Sequence, residues 1–291
     1  MSAIAETLAS LARATLGEGA SIANGKDVLR LVETLGEQRN RPDVRAFAEF
    51  CRLFLRAYEN CNYDMRRNGE AWLLQRLAPF QPQVVFDVGA NVGDWSILAA
   101  GLLPRSTIHA FEVVPLTHAQ LAARVGALGP RIVANAFGLA DKDGTIDIHV
   151  MADDSTLSSL VALHEGQRTT MACPVRTGDD YMKAAGIERI DLLKIDVEGG
   201  EHLVLMGLAP ALSERRIDVI QFEYGRANIL TKFLLRDYHE ALEDLGYRVG
   251  KLYPDRVDFR QYRLEHEDFI GPNFVAVRAD RNDILGALAV S

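Results

Sequence analysis

Two acidic segments hold the residues whose types and spacing could do chemistry. The first is Val84-Val85-Phe86-Asp87-Val88-Gly89-Ala90-Asn91-Val92-Gly93-Asp94-Trp95-Ser96, an apolar run ending in an acid, then a glycine-rich turn, then a helical pattern. Gly89 permits a tight turn and close backbone approach to a ligand, and Gly93 lets the next helix pack against the strand. Asp87 is costly at a buried strand end unless something pairs with it. A dinucleotide site sets a diphosphate on a helix N-terminus, usually through G-x-G-x-x-G. Here the spacing is G-x-x-x-G behind a carboxylate that would repel a diphosphate. S-adenosylmethionine carries an ammonium and a sulfonium and no phosphate, and the turn suits those charges. A second strand, Thr107-Ile108-His109-Ala110-Phe111-Glu112, ends in an acid placed to hold two ribose hydroxyls. A nicotinamide cofactor wants the same acid, and a charge at the helix start near Pro115 is the plainer reading of Glu112. Phe137 and Asp141 are candidates for the adenine edge, although Asp141-Lys142-Asp143-Gly144 is also an ordinary turn.

The second segment is Ile190-Asp191-Leu192-Leu193-Lys194-Ile195-Asp196-Val197-Glu198-Gly199-Gly200-Glu201-His202. Lys194, Asp196 and Glu198 alternate, hence share one face of a strand. In a doubly wound sheet the fourth strand neighbours the first where the winding reverses, and ligands bind at the carboxyl ends there. Asp196 and Glu198 are therefore expected to face a donor methyl and its acceptor; a structural ion pair with Lys194 is the alternative. Asp196 is the first choice for orienting and deprotonating a hydroxyl, with Glu198, Glu223 and His202 as alternates. His202 opens a helix, where histidine is more often a capping or surface residue. Tyr224 and Asn228 are candidates for acceptor contacts. Asp196, Glu198 and Glu223 are also hard oxygen donors of the kind Mg²⁺ takes, so metal use stays open.

The elements that must position these residues follow from periodicity. Short β-branched runs at Val84–Val88, Thr107–Glu112, Arg131–Phe137, Asp191–Val197, Ile217–Glu223, Tyr247–Lys251 and Asn273–Val277 alternate with helical stretches at Asp94–Leu103, Leu116–Val125, Gly200–Leu212 and Phe233–Leu245. That pattern predicts an α/β fold with a doubly wound, seven-stranded, mainly parallel sheet over residues 81–291. Thr145–Met151 and Cys173–Arg176 read as an extended excursion between the third and fourth strands. Residues 1–80 read as a helical extension, a lid or dimerising arm, with apolar stripes through Leu29, Val32 and Leu35 and through Phe47, Phe50, Leu53, Phe54 and Tyr58. Pro42 and Asp43 open its second helix, and Glu70–Leu77 forms another.

With 291 residues, 48% hydrophobic and 25% charged, the chain can bury a large core. Its net charge of −8 disfavours a nucleic-acid substrate, because phosphate would be repelled. Cys51, Cys61 and Cys173 match neither a disulfide framework nor a metal spacing, which points to reduced thiols. The N-terminal stretch holds Glu6 and reads as a helix rather than a signal peptide, and no uncharged apolar run is long enough to span a bilayer. A cytoplasmic protein is expected.

The sequence resembles the FkbM family of S-adenosylmethionine-dependent methyltransferases, within the Rossmann-like class I. The resemblance rests on FDVGANVGDWS, AFEVVP, GLADKDGT, and DLLKIDVEGGE followed by a helix and IQFEYG, and covers roughly residues 63–278. Upstream, Asn68-Gly69-Glu70 resembles a family element that precedes the first strand. Val113-Val114-Pro115 departs from the commoner proline directly after the acid, and Gly200 stands where alanine is usual. The resemblance implies methyl transfer to a hydroxyl of a sugar, polyketide or other small molecule. It implies cofactor contacts at Glu70, Asp87, Gly89, Asn91, Gly93, Asp94, Trp95, Glu112, Val113 and Asp196. The absence of an Asn/Asp-Pro-Pro-Tyr-type segment after the fourth strand argues, by the same analogy, against methylation of base amino groups. A nicotinamide-dependent oxidoreductase and a non-catalytic nucleoside-binding protein are the competing readings. The helical arm, Asp153–Arg168 and Phe259–Ile270 are the places where specificity would arise, and a homodimer would use the apolar N-terminal stripe.

Overall fold

A computed structural model describes residues 25–126, 128–151, 158–161 and 168–289, together with residue 13. The chain divides into two compact units, Met1–Tyr58 and Glu59–Ser291. In the first, helices α1 (Gly25–Glu37) and α2 (Pro42–Tyr58) bury Leu31, Leu35 and Val44 with Phe47 packed on them. Pro42 and Asp43 occupy the first turn of α2 as expected, while Leu29, Val32, Phe50, Leu53, Phe54 and Tyr58 are exposed. The helix expected at the N-terminus and most of Asp153–Arg168 fall outside the described residues.

The second unit starts at residue 59. Helix α3 (Glu70–Leu77) belongs to it because Leu73, Leu74 and Leu77 pack into the core beneath the sheet. The segment ahead of α3 is tied down by Asn60, whose amide donates to the carbonyls of Asn68 (2.8 Å) and Leu252 (2.9 Å).

The remaining elements are β1 (Val84–Val88), α4 (Asp94–Leu102), β2 (Thr107–Phe111), α5 (Pro115–Gly126), β3 (Ile132–Asn135), β4 (Gly138–Leu139), β5 (Gly144–Met151), β6 (Ser158–Ser159), β7 (Arg168–Arg176), α6 (Gly178–Ala185), β8 (Ile190–Ile195), α7 (Glu201–Met206), α8 (Ala209–Ser213), β9 (Ile217–Glu223), α9 (Ala227–Thr231), α10 (Leu235–Asp244), β10 (Tyr247–Tyr253), β11 (Arg256–Phe259), β12 (Asn273–Arg278) and α11 (Asn282–Leu288). The main sheet runs β11-β10-β12-β9-β8-β1-β2-β3. All seven expected strands are present, and β11 adds an eighth by forming a hairpin with β10. β12 is antiparallel to both its neighbours, whereas β3, β2, β1, β8 and β9 run parallel. The winding reverses between β1 and β8, which is where such folds place ligands.

Alternation along the strands supplies two cores. Phe86, Val88, Phe111, Leu193 and Ile220 face one side and meet helices α6, α7, α8 and α10. Val85, Ile108, Leu192, Val219 and Val275 face the other, against α3, α4 and α11. The single helix expected over Gly200–Leu212 is two short ones, with Pro210 in the first turn of α8. The expected excursion after β3 is a second sheet, β4-β7-β5-β6. The chain between β11 and β12 is pinned by Glu267, whose carboxylate accepts from the Tyr224 and Tyr262 hydroxyls and from the amides of Leu235 (3.2 Å) and Arg236 (2.9 Å).

Candidate functional site

The tips of β1 and β8 lie in unusually close contact. Asp196 N donates to Val88 O at 2.9 Å. Gly89, at φ +82°, would place a Cβ 1.8 Å from the Asp196 carbonyl, so only glycine fits. Gly93, at φ +88°, starts α4 and lies against Leu121 of α5, where a Cβ would meet its Cδ1 at 2.6 Å. It therefore serves helix packing, as its position behind the turn suggested, and lines neither half of the crevice described below.

A layer of buried polar side chains underlies this junction, all on the sheet face that also carries Val85, Leu192 and Val219. In register, Asp87 sits opposite Lys194 and Lys194 opposite Gln221. The Lys194 ammonium lies 3.2 Å from Asp87 Oδ1 and 3.2 Å from Asp196 Oδ2. Ser96 Oγ donates to the other Asp87 oxygen at 2.7 Å. Burial opposes the lysine's charge, but Asp196, Asp87 and Glu70 together hold its pKa above the ordinary value. Alongside, Gln221 Nε2 donates to Glu70 at 2.7 Å and to Asn273 Oδ1 at 3.1 Å, and Asn68 Nδ2 donates to Glu70 at 2.8 Å. Burial raises the Glu70 carboxyl against the lowering influence of Lys194 and these amides.

Above the layer a crevice opens in two halves that share Gly89, Asn91 and Asp196. One half has apolar walls, Leu139, Ile146, Ile148 and Val175, supplied largely by the small sheet, with Glu112 and Val113 at the tip of β2. Glu112 accepts from Asn91 N (3.0 Å) through one oxygen and from Val114 N (2.8 Å) through the other. Burial raises its carboxyl above the usual range. The other half is polar, bounded by Glu70, Asp94, Trp95, Lys194 and Glu223. Trp95 is 4% exposed, and its indole N–H has no partner. A buried N–H without an acceptor is costly and rare.

Three carboxylates converge where the halves meet. Asp196, Glu198 and Glu223 each present an oxygen within 4.8 Å of the others. Burial pushes Asp196 up, but Lys194 and a hydrogen bond from Glu223 outweigh it and leave Asp196 below its ordinary value. Glu223 is raised well above the usual range by burial and by the neighbouring Asp196 and Glu198 charges. Glu198 is exposed at the rim, yet the surrounding protein and the Asp196 and Glu201 charges raise it to about 7.

The crevice thus gathers Glu70, Gly89, Asn91, Asp94, Trp95, Glu112, Val113, Asp196, Glu198 and Glu223. The other candidates line neither half; among them Tyr224 and Asn228, named for acceptor contacts, are buried, with Tyr224 donating to Glu267 and Asn228 accepting from Gly225 N at 2.8 Å. Asp87 is fully buried and spent on Ser96 and Lys194, so its carboxylate supports the site from below. Phe137 packs edge-on against Phe111, under the Arg176 guanidinium. Asp141 lies outside both cavities. The His202 ring stacks on Phe233 with centroids 4.9 Å apart, and burial lowers its pKa. The ion pair of Lys194 with Asp196, weighed as the alternative from sequence, is present, whereas the apolar wall of the small sheet was not singled out. The alternation of Ile146 and Ile148 was the available signal for the wall.

An α/β sheet reversed between its first and fourth long strands, with a glycine turn after the first and an acid after the second, defines a class I methyltransferase fold. The family model "Methyltransferase FkbM domain" matches residues 87–249, more than half of the chain, and the chain belongs to that family. It is 30% identical over 156 residues to 2-O-methyltransferase NoeI of Sinorhizobium fredii, covering 49% of this chain and 63% of that one. It is 31% identical over 158 residues to 31-O-demethyl-FK506 methyltransferase FkbM of Streptomyces tacrolimicus, covering 44% and 60%. Among solved structures, methyltransferase FkbM from Methylobacillus flagellatus aligns at 17% identity with a TM-score of 0.43, over 67% of this chain and 44% of that one. The chain thus spans less than two thirds of the length of these relatives. No helix among the described residues is long and apolar enough to cross a membrane, and the three cysteines form no disulfide.

Proposed function

We propose that this protein transfers a methyl group from S-adenosylmethionine to a hydroxyl oxygen of a small molecule, such as a sugar or another secondary metabolite. The observation that carries the reading is the charge of the crevice. Glu70, Asp94, Glu112, Asp196, Glu198 and Glu223 line it, while its one described cation, Lys194, is already held by Asp87 and Asp196. Such a pocket attracts a cationic nucleoside and repels a diphosphate. Both curated relatives are named for methylation at oxygen, which supports the acceptor class.

When bound, S-adenosylmethionine supplies an electrophilic methyl on a positively charged sulfur. Glu112 accepts hydrogen bonds from ribose hydroxyls, and the apolar wall covers the base. Glu70 and Asp94 face the ammonium. Asp196, held by Lys194 and by its hydrogen bond with Glu223, takes the proton that the acceptor hydroxyl loses as its oxygen bonds to the methyl carbon and the methyl–sulfur bond breaks, its electron pair leaving with the neutral sulfur of S-adenosylhomocysteine.

A second reading of the carboxylate cluster is a Mg²⁺ site on Asp196, Glu198 and Glu223, favoured by the 4.8 Å convergence of their oxygens. The apolar face of α2 keeps its reading as a lid or dimerising arm. The deciding experiment for the main reading is calorimetry with S-adenosylmethionine, S-adenosylhomocysteine and NAD. Binding of the first two and not the third is expected. Binding of NAD alone would select an oxidoreductase and overturn it.

A further inference from the structure

We propose that Glu201 is a positioning residue: its carboxylate, folded back from the first turn of α7, fixes the backbone of Val197–Gly199 and so aims Asp196 and Glu198 into the crevice. This rests on the reading of the crevice as the site of a cationic nucleoside.

The loop between β8 and α7 cannot hold its shape by local preference. Glu198 adopts φ +54° and Gly199 φ +106°, two successive left-handed conformations, the first on a residue that seldom adopts one. Something must over-determine that backbone. Asp196 is fixed from one side by its amide bond to Val88 O, and the Glu198 carbonyl accepts from Leu160 N at 3.3 Å. The amides of Val197 and Gly199 point the other way, and both are received by Glu201. Oε1 accepts from Val197 N at 3.1 Å and from Gly199 N at 3.1 Å, and Oε2 also lies 3.1 Å from Gly199 N.

Glu201 does not touch a ligand itself. It is 1% exposed and lines neither half of the crevice, and its oxygens are occupied by loop amides. Its burial is unfavourable for a carboxyl, and the N–H groups at a helix start together with the two loop amides are what make the position tolerable. A buried acid kept at that cost, next to a strained loop carrying two acids of the crevice, acts through them.

The test uses the full chain and two probes, S-adenosylmethionine and S-adenosylhomocysteine, whose affinities are measured by calorimetry at fixed pH for wild type, Glu198→Gln, Glu201→Ala and the double variant. Only the first probe carries the sulfonium charge, so the ratio of the two affinities reads the aim of the acids and not the integrity of the pocket. Glu198→Gln and Glu201→Ala are each expected to lower that ratio roughly threefold or more, as fits loss of one screened charge contact. The double variant should fall further than Glu198→Gln alone, through Asp196, yet short of the product of the two single losses, because positions that act through one another are not additive. Amide exchange at Val197 and Gly199 should accelerate in Glu201→Ala and recover in part in Glu201→Gln, whose carbonyl still accepts; Glu201→Gln replaces Glu201→Ala in the cycle if the latter does not fold. Equal loss of both affinities, additive ratios, or unchanged exchange would each overturn the proposal. A wild type that binds neither probe would instead refute the cofactor reading, and amide exchange would still report on the loop.

Discussion

Replacing Lys194 by methionine tests the polar layer beneath the crevice. The ammonium is 5% exposed and lies 3.2 Å from both Asp87 and Asp196. Methionine keeps most of the volume and removes the charge, so the packing penalty is small. What remains is Asp87, fully buried and with only the Ser96 hydroxyl as a side-chain partner. Breaking a buried pair by removing one member costs about 3–5 kcal/mol, and Asp87 escapes part of that by taking a proton. Its folded pKa then rises above its unfolded value. The deficit of the variant should therefore be smallest in mild acid and grow as pH rises through that raised pKa. Urea unfolding at pH 5 and pH 8 measures this, with about 3 kcal/mol or more expected at the higher pH. The double variant Asp87→Asn/Lys194→Met, which buries no charge at that contact, should regain at least half. A deficit below about 1 kcal/mol and independent of pH would refute the account of Asp87 as a buried anion that needs Lys194.

Other consequences of the site are equally measurable. Glu112→Gln should weaken S-adenosylmethionine and S-adenosylhomocysteine alike by about 30- to 100-fold, the loss of one to two charge-assisted hydrogen bonds to ribose, read by calorimetry. Glu198 and Glu201, raised from 4.5 to about 7, hold protons that the unfolded chain has released, so they should make the ligand-free protein lose stability as pH rises from about 4.5 to about 7. A cation in the crevice should expel part of those protons near pH 6.5. The buffer dependence of binding enthalpy should show more release with S-adenosylmethionine than with its uncharged-sulfur product. If Mg²⁺ occupies the carboxylate cluster, chelation should lower thermal stability and magnesium should restore it; an unchanged melting temperature would favour the hydrogen bond between Asp196 and Glu223 alone.

Most of the fold was legible because its long strands are buried runs of Val, Ile and Phe broken by helical periods, and a parallel sheet needs that rhythm. β11 escaped because Arg256–Phe259 is short and half charged. Helix α6 escaped because its signal was a cap, Thr177 accepting from Asp180 N at 3.2 Å, rather than a long apolar stripe. The acids at the strand tips were legible by spacing. Their division of labour was not: Asp87 and Glu112 both end strands, yet only Glu112 reaches the crevice. What separates them is Lys194, 107 residues along the chain from Asp87, a pairing that local sequence does not encode. The orphaned Trp95 N–H was equally invisible, since an unmet bond exists only once its surroundings are built.

The anchoring of the β11–β12 connection by Glu267 bears on how such a scaffold diversifies. One carboxylate gathers two tyrosines and two helix-start amides, while the charged layer under the glycine turn is held by other residues entirely. The connection can therefore vary in sequence, provided its clasp is kept, without disturbing that layer.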